Sequence, residues 1–77
     1  MKMLMLFSDG FEEIEAAAPI DLLRRAGVSV ETCSITENST LTGAHGIPFG
    51  ADSVLPQELG TAKAEALAAS YDGLLLP

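Results

Sequence analysis

The residues best suited to chemistry are three acids near the start of the chain, one cysteine and one histidine. The acids form a Glu-Glu-Ile-Glu run from Glu12 to Glu15, and the thiol and the imidazole belong to Cys33 and His45. A carboxylate held on an apolar surface must be paired, hydrogen-bonded or protonated, and carboxylates perturbed in this way often mark functional sites. The first question is therefore which of the acids the fold turns toward its interior.

A strand, a turn and one helix must position the acids. The continuous apolar run Met3 to Phe7 is typical of a strand buried on both faces. A helix from about Phe11 to Ala26 follows, with Asp9 as the predicted N-cap and Glu12 as its capping-box partner. Acids in the first turn and arginines in the last suit the helix dipole, and Gly27 can end the helix in the left-handed conformation.

A helical wheel separates Glu15 from its neighbours. At about 100° per residue, Glu15 lies on the predicted core face, which is formed by Phe11, Ala18, Leu22 and Ala26. The other polar side chains fall elsewhere on the circumference (Glu12, Glu13, Asp21 and Arg24), and Ile20 is expected to be exposed, roughly opposite the core. Burial would raise the pKa of Glu15 and the nearby helix N-terminus would lower it. A rim carboxylate that reaches water remains the alternative.

The rest of the chain continues an α/β pattern. Val28 to Ile35 reads as a second strand, which completes a βαβ unit. Leu41 to Ala51 holds three glycines and favours a hairpin of two short strands. Pro56 could open a helical turn, residues 61–70 form an alanine-rich helix, and Asp72 to Pro77 repeats the buried-strand pattern.

Composition bounds the function classes. The 77 residues are enough for one small domain at most, and the 48% apolar content indicates a core-forming chain. The net charge of −7 with only 4 basic residues argues against nucleic acid and against an anionic membrane surface as partners. One cysteine allows no internal disulfide, and no stretch is long enough to span a membrane, so a cytoplasmic setting is expected. The glycines lack the lysine and the strand-loop-helix context of a phosphate loop, and no cofactor is expected.

The end of the chain is unusual for a complete domain. Three buried-type strands have only two helices between them, although a parallel sheet needs helices on both faces. In open α/β sheets the site lies beyond the carboxyl ends of the strands, and the chain stops where the third such loop would begin. We therefore expect residues 1–77 to be the amino-terminal part of a single larger domain.

Four blocks of sequence resemble the ThiJ/PfpI superfamily, which includes the parkinsonism-associated deglycase-type proteins. They are Asp9 to Glu15, Pro19 to Gly27, Leu41 to Gly46 with Ala51-Asp52, and Tyr71 to Pro77. The resemblance runs in register over essentially the whole chain.

The resemblance implies a flavodoxin-like three-layer sandwich with a mainly parallel sheet, similar to class I glutamine amidotransferases and usually dimeric. It also implies a nucleophilic cysteine on a strained turn beyond Pro77, and Glu15 as the residue that hydrogen-bonds its sulfur. The cysteine thiolate would attack a small-molecule carbonyl substrate, as in glyoxalases and deglycases, or would be oxidised by peroxide. The alternatives are a non-catalytic chaperone or redox sensor on the same fold, or a peptidase of the PfpI type.

Other candidates have simpler interpretations. Cys33 lies near the carboxyl end of the second strand and is most simply a buried strand cysteine. His45 could be a base, but it lies in a glycine-rich turn and lacks companions at metal-ligand spacing. Ile20 and Arg24 could face a partner, because the resemblance places their helix near a dimer interface. A phosphoacceptor receiver domain would need an aspartate where the chain has Leu76 and Pro77. The expected partners are the remainder of the domain and a second copy in a homodimer; the 77 residues alone should have no cysteine-dependent activity.

Overall fold

The computed structural model describes residues 1–55 and 60–77. In chain order the elements are β1 (Lys2–Phe7), α1 (Glu13–Arg25), β2 (Ser29–Ser34), β3 (Thr40–Thr42), β4 (Pro48–Gly50), β5 (Ser53–Val54), α2 (Thr61–Ala69) and β6 (Gly73–Leu75). The predicted strands, hairpin and second helix are confirmed to within about two residues. The helical turn expected at Pro56 lies outside the described residues.

Four strands form one parallel sheet in the order β5-β2-β1-β6, so β1 is central. Met3 of β1 pairs with Val30 of β2 on one side and with Gly73 of β6 on the other. All carboxyl ends of the strands consequently meet at one edge of the sheet. This arrangement confirms the α/β class and the mainly parallel sheet.

The two helices cover opposite faces of the sheet. Met5 and Phe7 point toward α1 and join Ala16 and Ile20 in the main core cluster. Alternate residues of β1 point the other way, and Leu4 and Leu6 share a cleft with apolar side chains of α2. The sheet between two helical layers is a three-layer arrangement.

The β3–β4 hairpin stands outside the sheet and is fixed by aromatic packing. Its Phe49 lies 5.5 Å from the ring of Phe7 and 5.4 Å from that of Phe11, and the latter two rings are 5.1 Å apart. All three contacts are edge-to-face, which is a favoured geometry for aromatic pairs. The three phenylalanines of the chain therefore join β1, the turn before α1 and the hairpin.

The buried face of α1 differs from the predicted one. The buried residues of the helix are Glu13, Ala16 and Ile20, whereas Leu22 is 65% exposed and Glu15 is exposed as well. The wheel was wrong because it included Phe11, which lies in the turn before the helix. Once the helix begins at Glu13, positions 13, 16, 20 and 23 form one stripe at alternating spacings of three and four. Ala16, Ile20 and Leu23 pack on the core cluster, and Glu13 contacts the hairpin turn.

At the ends of α1, the predicted N-cap at Asp9 is wrong and the predicted terminating glycine, Gly27, is confirmed. Glu12 takes the N-cap position without a side-chain cap, and Asp9 accepts a hydrogen bond from the Thr42 amide instead of capping the helix. At the other end, Gly27 has a φ of 86°, as expected for a glycine that terminates a helix.

Candidate functional site

Glu15 lies beside the last residues of the chain at the carboxyl edge of the sheet. It is in the first turn of α1, and its exposed side chain lines a cleft of about 270 Å³. The other lining residues are Met5, Pro19, Leu75, Leu76 and Pro77. The cleft is mainly apolar, and among the described residues that line it only Glu15 has an ionisable side chain.

A second cleft of about 290 Å³ opens at the same edge. Leu76 and Pro77 line both clefts, and Ser8 and Gly10 of the β1–α1 turn line the second. Ser8 is therefore among the residues that line this edge of the sheet. The two clefts together mark the region beyond the strand ends, where open α/β sheets bind ligands.

Glu13 is the most buried acid of the described residues, with 8% of its surface exposed. Its Oε2 accepts hydrogen bonds from the backbone amides of His45, at 2.7 Å, and Ile47, at 3.4 Å. Its Oε1 lies 2.9 Å from Nδ1 of the His45 ring. One carboxylate thus joins the start of α1 to the turn of the hairpin.

The electrostatics of this pair follow from those bonds. Burial raises the pKa of Glu13, but the hydrogen bonds from the His45 ring and from backbone amides outweigh it and lower the pKa from 4.5 to about 2. The hydrogen bond and negative charge of Glu13, with the charge of Glu12, raise the pKa of His45 above 6.5. The arrangement favours a carboxylate bound to an imidazolium.

Three backbone-mediated bonds extend the same contact along the β1–α1 turn. The Gly10 amide donates to the Thr42 carbonyl at 2.9 Å, and the Thr42 amide donates to Oδ1 of Asp9 at 2.9 Å. The Ala44 amide donates to the Phe11 carbonyl at 2.8 Å. The hairpin is consequently bonded both to the turn that precedes α1 and to Glu13, the first residue of the helix.

His45 has companions in space that the sequence did not reveal. Glu12, Glu13 and His45 have potential ligand atoms within 4.8 Å of one another. Both oxygens of Glu13 already take part in hydrogen bonds, and the side chain of His45 is 72% exposed. We interpret the group as an ion pair that packs the turn of the hairpin against the start of α1.

Cys33 is buried, with 4% of its surface exposed, and its thiol donates to the Ser34 carbonyl at 3.7 Å. It lies one residue before the end of β2, opposite Leu6. Among the described residues, those lining the two clefts at Pro77 do not include Cys33. The interpretation as a buried strand cysteine is confirmed.

The arginines of α1 bind within the chain. Arg25 forms an exposed ion pair with Asp21, four residues earlier on the helix, at 2.9 Å. Arg24 donates to the Val30 carbonyl at 2.6 Å and lies 3.5 Å from Oδ2 of Asp52. Ile20, expected to be exposed, is buried in the core cluster.

A further polar group lies at the opposite, amino-terminal edge of the sheet. The hydroxyl of Tyr71 donates to Oε2 of Glu31, and Nζ of Lys2 lies 3.4 Å from the other carboxylate oxygen. The same ammonium group is 4.8 Å from the centre of the Tyr71 ring. These contacts connect β1, β2 and Tyr71, which lies two residues before β6. They are at the edge of the sheet opposite the two clefts that Pro77 lines.

Comparison with known proteins decides the family. The sequence model of the DJ-1/PfpI family matches residues 1–77, the whole chain. The chain belongs to the DJ-1/PfpI family. This result confirms the resemblance read from the sequence and excludes the receiver-domain alternative.

Individual relatives in this family agree. An uncharacterized protein of Staphylococcus haemolyticus is 32% identical over 76 residues, which are 99% of this chain and 40% of that protein. The oxidized DJ-1 of Toxoplasma gondii is 29% identical with a TM-score of 0.80, over 99% of this chain and 37% of that one. A cysteine-to-alanine mutant of a DJ-1 superfamily protein from Salmonella typhimurium is 36% identical with a TM-score of 0.75, over 95% of this chain and 35% of that one.

These matches confirm the flavodoxin-like fold. The chain spans about 40% of the length of the curated relatives that it matches. Neither described helix is long and apolar enough to cross a membrane.

Sequence reasoning missed Glu13 as a structural residue. The wheel gave it a solvated position, although it continues the apolar stripe of Ala16, Ile20 and Leu23 by one step toward the N-terminus. That spacing was the available signal. No sequence pattern indicates the hydrogen bonds between Glu13 and His45, which are 32 residues apart.

Proposed function

We propose that this chain is the amino-terminal part of a cysteine-dependent DJ-1/PfpI protein that acts on reactive carbonyl compounds, in the manner of a glyoxalase or deglycase, or in protection against oxidative stress. In this proposal Glu15 supports a nucleophilic cysteine located beyond Pro77. The supporting observation is that the Glu15 side chain lines a cleft together with Pro77, at the carboxyl edge of the sheet.

The chemistry proposed for Glu15 is a hydrogen bond that its protonated carboxyl group donates to the cysteine sulfur. A bond of this kind stabilises the thiolate and lowers the pKa of the cysteine. The thiolate then forms a bond to the carbonyl carbon of the substrate, while the π electrons move to oxygen, which takes up a proton. With a peroxide, the thiolate attacks one oxygen, the O–O bond breaks, and a sulfenate and water or an alcohol result.

The assembly proposed for the protein is a cytoplasmic homodimer in which the remainder of the domain covers the edge at Pro77. One feature that supports a partner surface is the exposure of Ile14 and Leu22 on α1, at 81% and 65%. Apolar side chains of this size on one helix are common at protein interfaces.

A redox sensor without carbonyl turnover is the second candidate. It is favoured by the similarity to a DJ-1 that was solved in an oxidized form. Steady-state turnover of methylglyoxal by the full-length protein separates the two candidates: the enzyme consumes it catalytically, and the sensor reacts with peroxide alone.

The test of Glu15 is the substitution Glu15→Gln in the full-length protein. The pH dependence of alkylation by iodoacetamide gives the pKa of the nucleophilic cysteine. This pKa should rise in the variant, because the glutamine amide N–H is a weaker donor to the thiolate than the O–H of a protonated carboxyl group. Glu12→Gln is the matched control, since Glu12 is exposed and does not line the cleft. An unchanged cysteine pKa and peroxide reactivity in Glu15→Gln would exclude Glu15 as the supporting acid.

A further inference from the structure

We infer that Glu13, Gly43 and His45 form a clamp that positions Glu15, by fixing the first turn of α1 against the turn of the hairpin. The inference rests on the proposed function, because positioning matters only if the Glu15 carboxylate supports a cysteine. Glu13 and His45 are then positioning residues that do not touch the reacting atoms.

The first reason is that the start of α1 lacks a cap of its own. The N-cap residue Glu12 makes no side-chain hydrogen bond to the first amides of the helix. An uncapped first turn tends to fray, since its amides have no partners within the helix. Contacts from outside the helix must therefore hold the turn that carries Glu15.

The second reason is that Glu13 supplies such contacts at the first helical residue. Its carboxylate accepts hydrogen bonds from the backbone amides of His45 and Ile47 and lies 2.9 Å from Nδ1 of the His45 ring. Backbone donors in a tight turn are fixed in direction, so they fix the carboxylate in turn. The Gly43 amide bonds the Ile47 carbonyl at 2.9 Å, which closes this turn.

The third reason is the shape of the hairpin at Gly43. An ideal Cβ at this position would lie 2.6 Å from Cγ of Glu13 and nearer still to its carboxyl group. The absence of a side chain at position 43 lets the carboxylate reach the amides of His45 and Ile47. The close approach thus requires both the carboxylate of Glu13 and a glycine at position 43.

The link to Glu15 is the rigidity of one helical turn. Glu13 and Glu15 are two residues apart, about 3 Å along the helix axis. A first turn that frays or rotates moves the Glu15 carboxylate within its cleft. A misplacement of about 1 Å in a supporting group can cost up to about 100-fold in rate.

The experiment is a double-mutant cycle in the full-length protein with iodoacetamide as the probe. Glu13→Ala and His45→Ala are each made alone and together with Glu15→Gln, and the cysteine pKa and the alkylation rate at neutral pH are measured. In the background with Glu15 we expect Glu13→Ala to slow alkylation about 3- to 10-fold and to raise the cysteine pKa. In the Glu15→Gln background the same substitution should have no further effect, because coupled residues are not additive.

Matched variants separate positioning from a general loss of structure. His45→Asn keeps a donor near the Nδ1 position and should restore most of the rate lost in His45→Ala. Gly43→Ala displaces the Glu13 carboxylate without altering it and should reproduce the effect of Glu13→Ala. Glu12→Gln should stay within about twofold of the unmodified protein, because Glu12 makes only a solvent-exposed ion pair with His45, at 4.0 Å from Nδ1.

The outcomes test the clamp separately from the proposed role of Glu15. If Glu15→Gln alters the cysteine but Glu13→Ala slows alkylation equally with and without Glu15, the clamp is wrong and the proposed role of Glu15 stands. If Glu15→Gln leaves the cysteine unchanged, the proposed role fails and the clamp fails with it. If Glu13→Ala does not fold, His45→Ala decides the question, since its side chain is largely exposed.

Discussion

The carboxyl group of Glu13 occupies the space in which a side chain at Gly43 would begin. The two residues are 30 positions apart in sequence, and the hairpin turn brings them together. Gly43 is needed for this close approach and not for its backbone angle, since its φ lies outside the left-handed region. The burial of Glu13 therefore depends on the missing side chain at position 43, and the need for a glycine there comes from the Glu13 carboxylate.

Gly43→Ala should destabilise the protein by about 1–3 kcal/mol, the usual cost of overpacking a closely packed position. The added methyl group forces the Glu13 side chain away from the amides of His45 and Ile47. Gly50→Ala is the matched control, because an added Cβ there meets nothing within 4 Å, and it should change stability by no more than about 0.5 kcal/mol. Urea unfolding of both variants checks the prediction. Equal stabilities would show that the Glu13 carboxylate can move at no cost.

The ion pair of Glu13 and His45 should stabilise the fold most between pH 4.5 and 6.5. The pKa of Glu13 is lowered from 4.5 to about 2, so its contribution is complete above pH 4.5 and is lost as the pH falls toward 2. The pKa of His45 is raised above 6.5, so its contribution is complete below pH 6.5 and is lost as the pH rises through the raised value.

The measurement is the difference in unfolding free energy between the unmodified protein and His45→Ala at several pH values. This difference should be largest near pH 5.5 and should shrink above the raised pKa of His45. A difference that stays constant into the alkaline range would mean that His45 stabilises the turn by packing alone.

Ile20→Ala should cost about 2–5 kcal/mol, the usual range for removing a buried branched side chain. Ile20 is 7% exposed and belongs to the core cluster beneath α1. Asp21→Ala on the same helix removes only an exposed pair with Arg25 and should cost about 0.5 kcal/mol or less. Thermal unfolding of the two variants tests the helix face directly. Similar losses for both would contradict the orientation of α1.

Tyr71 should ionise near pH 12 rather than at its ordinary value of 10.0. Its hydrogen bond to the Glu31 carboxylate, together with burial and the negative charge of Glu31, raises the pKa of the phenol to about 12. This bond therefore stabilises the fold fully between pH 4.5 and pH 10.0. It is lost as the pH rises through about 12, and it weakens as the pH falls through the lowered pKa of Glu31. The ultraviolet absorbance of tyrosinate reports the titration, and Tyr71 is the one tyrosine of this chain. Glu31→Gln should return the pKa toward 10.0; no return would exclude Glu31 as the cause.

The order of elements could be predicted from the sequence because each strand carries a local signal. The continuous apolar run before Ser8 indicated β1, the β-branched residues after Gly27 indicated β2, and the glycines of the hairpin indicated a tight turn. These signals depend on neighbours in the chain, so they survive without knowledge of the tertiary structure. The helix start was less accurate, because Phe11 is apolar and adjacent to the helix but packs from the preceding turn.

Of the candidate site, only Glu15 could be predicted, because the family resemblance includes its position. Glu15 was selected partly for a core face that the structure assigns to Glu13, Ala16 and Ile20. Its place beside Pro77 agrees with the role that the resemblance implies, and that role stays a prediction. The bond between Glu13 and His45 could not be predicted, because it depends on how a hairpin outside the sheet docks on the turn before α1.

The central place of β1 has a consequence for how the chain is made. Met3 leaves the ribosome before both of its strand partners, because Val30 and Gly73 follow 27 and 70 residues later. Synthesis at about 5–20 residues per second leaves one edge of β1 without its partner for several seconds after β2 has formed. During that interval an apolar strand with an open edge is a target for chaperones and for other nascent chains. Slower translation between residues 35 and 73 should therefore reduce the yield of folded protein.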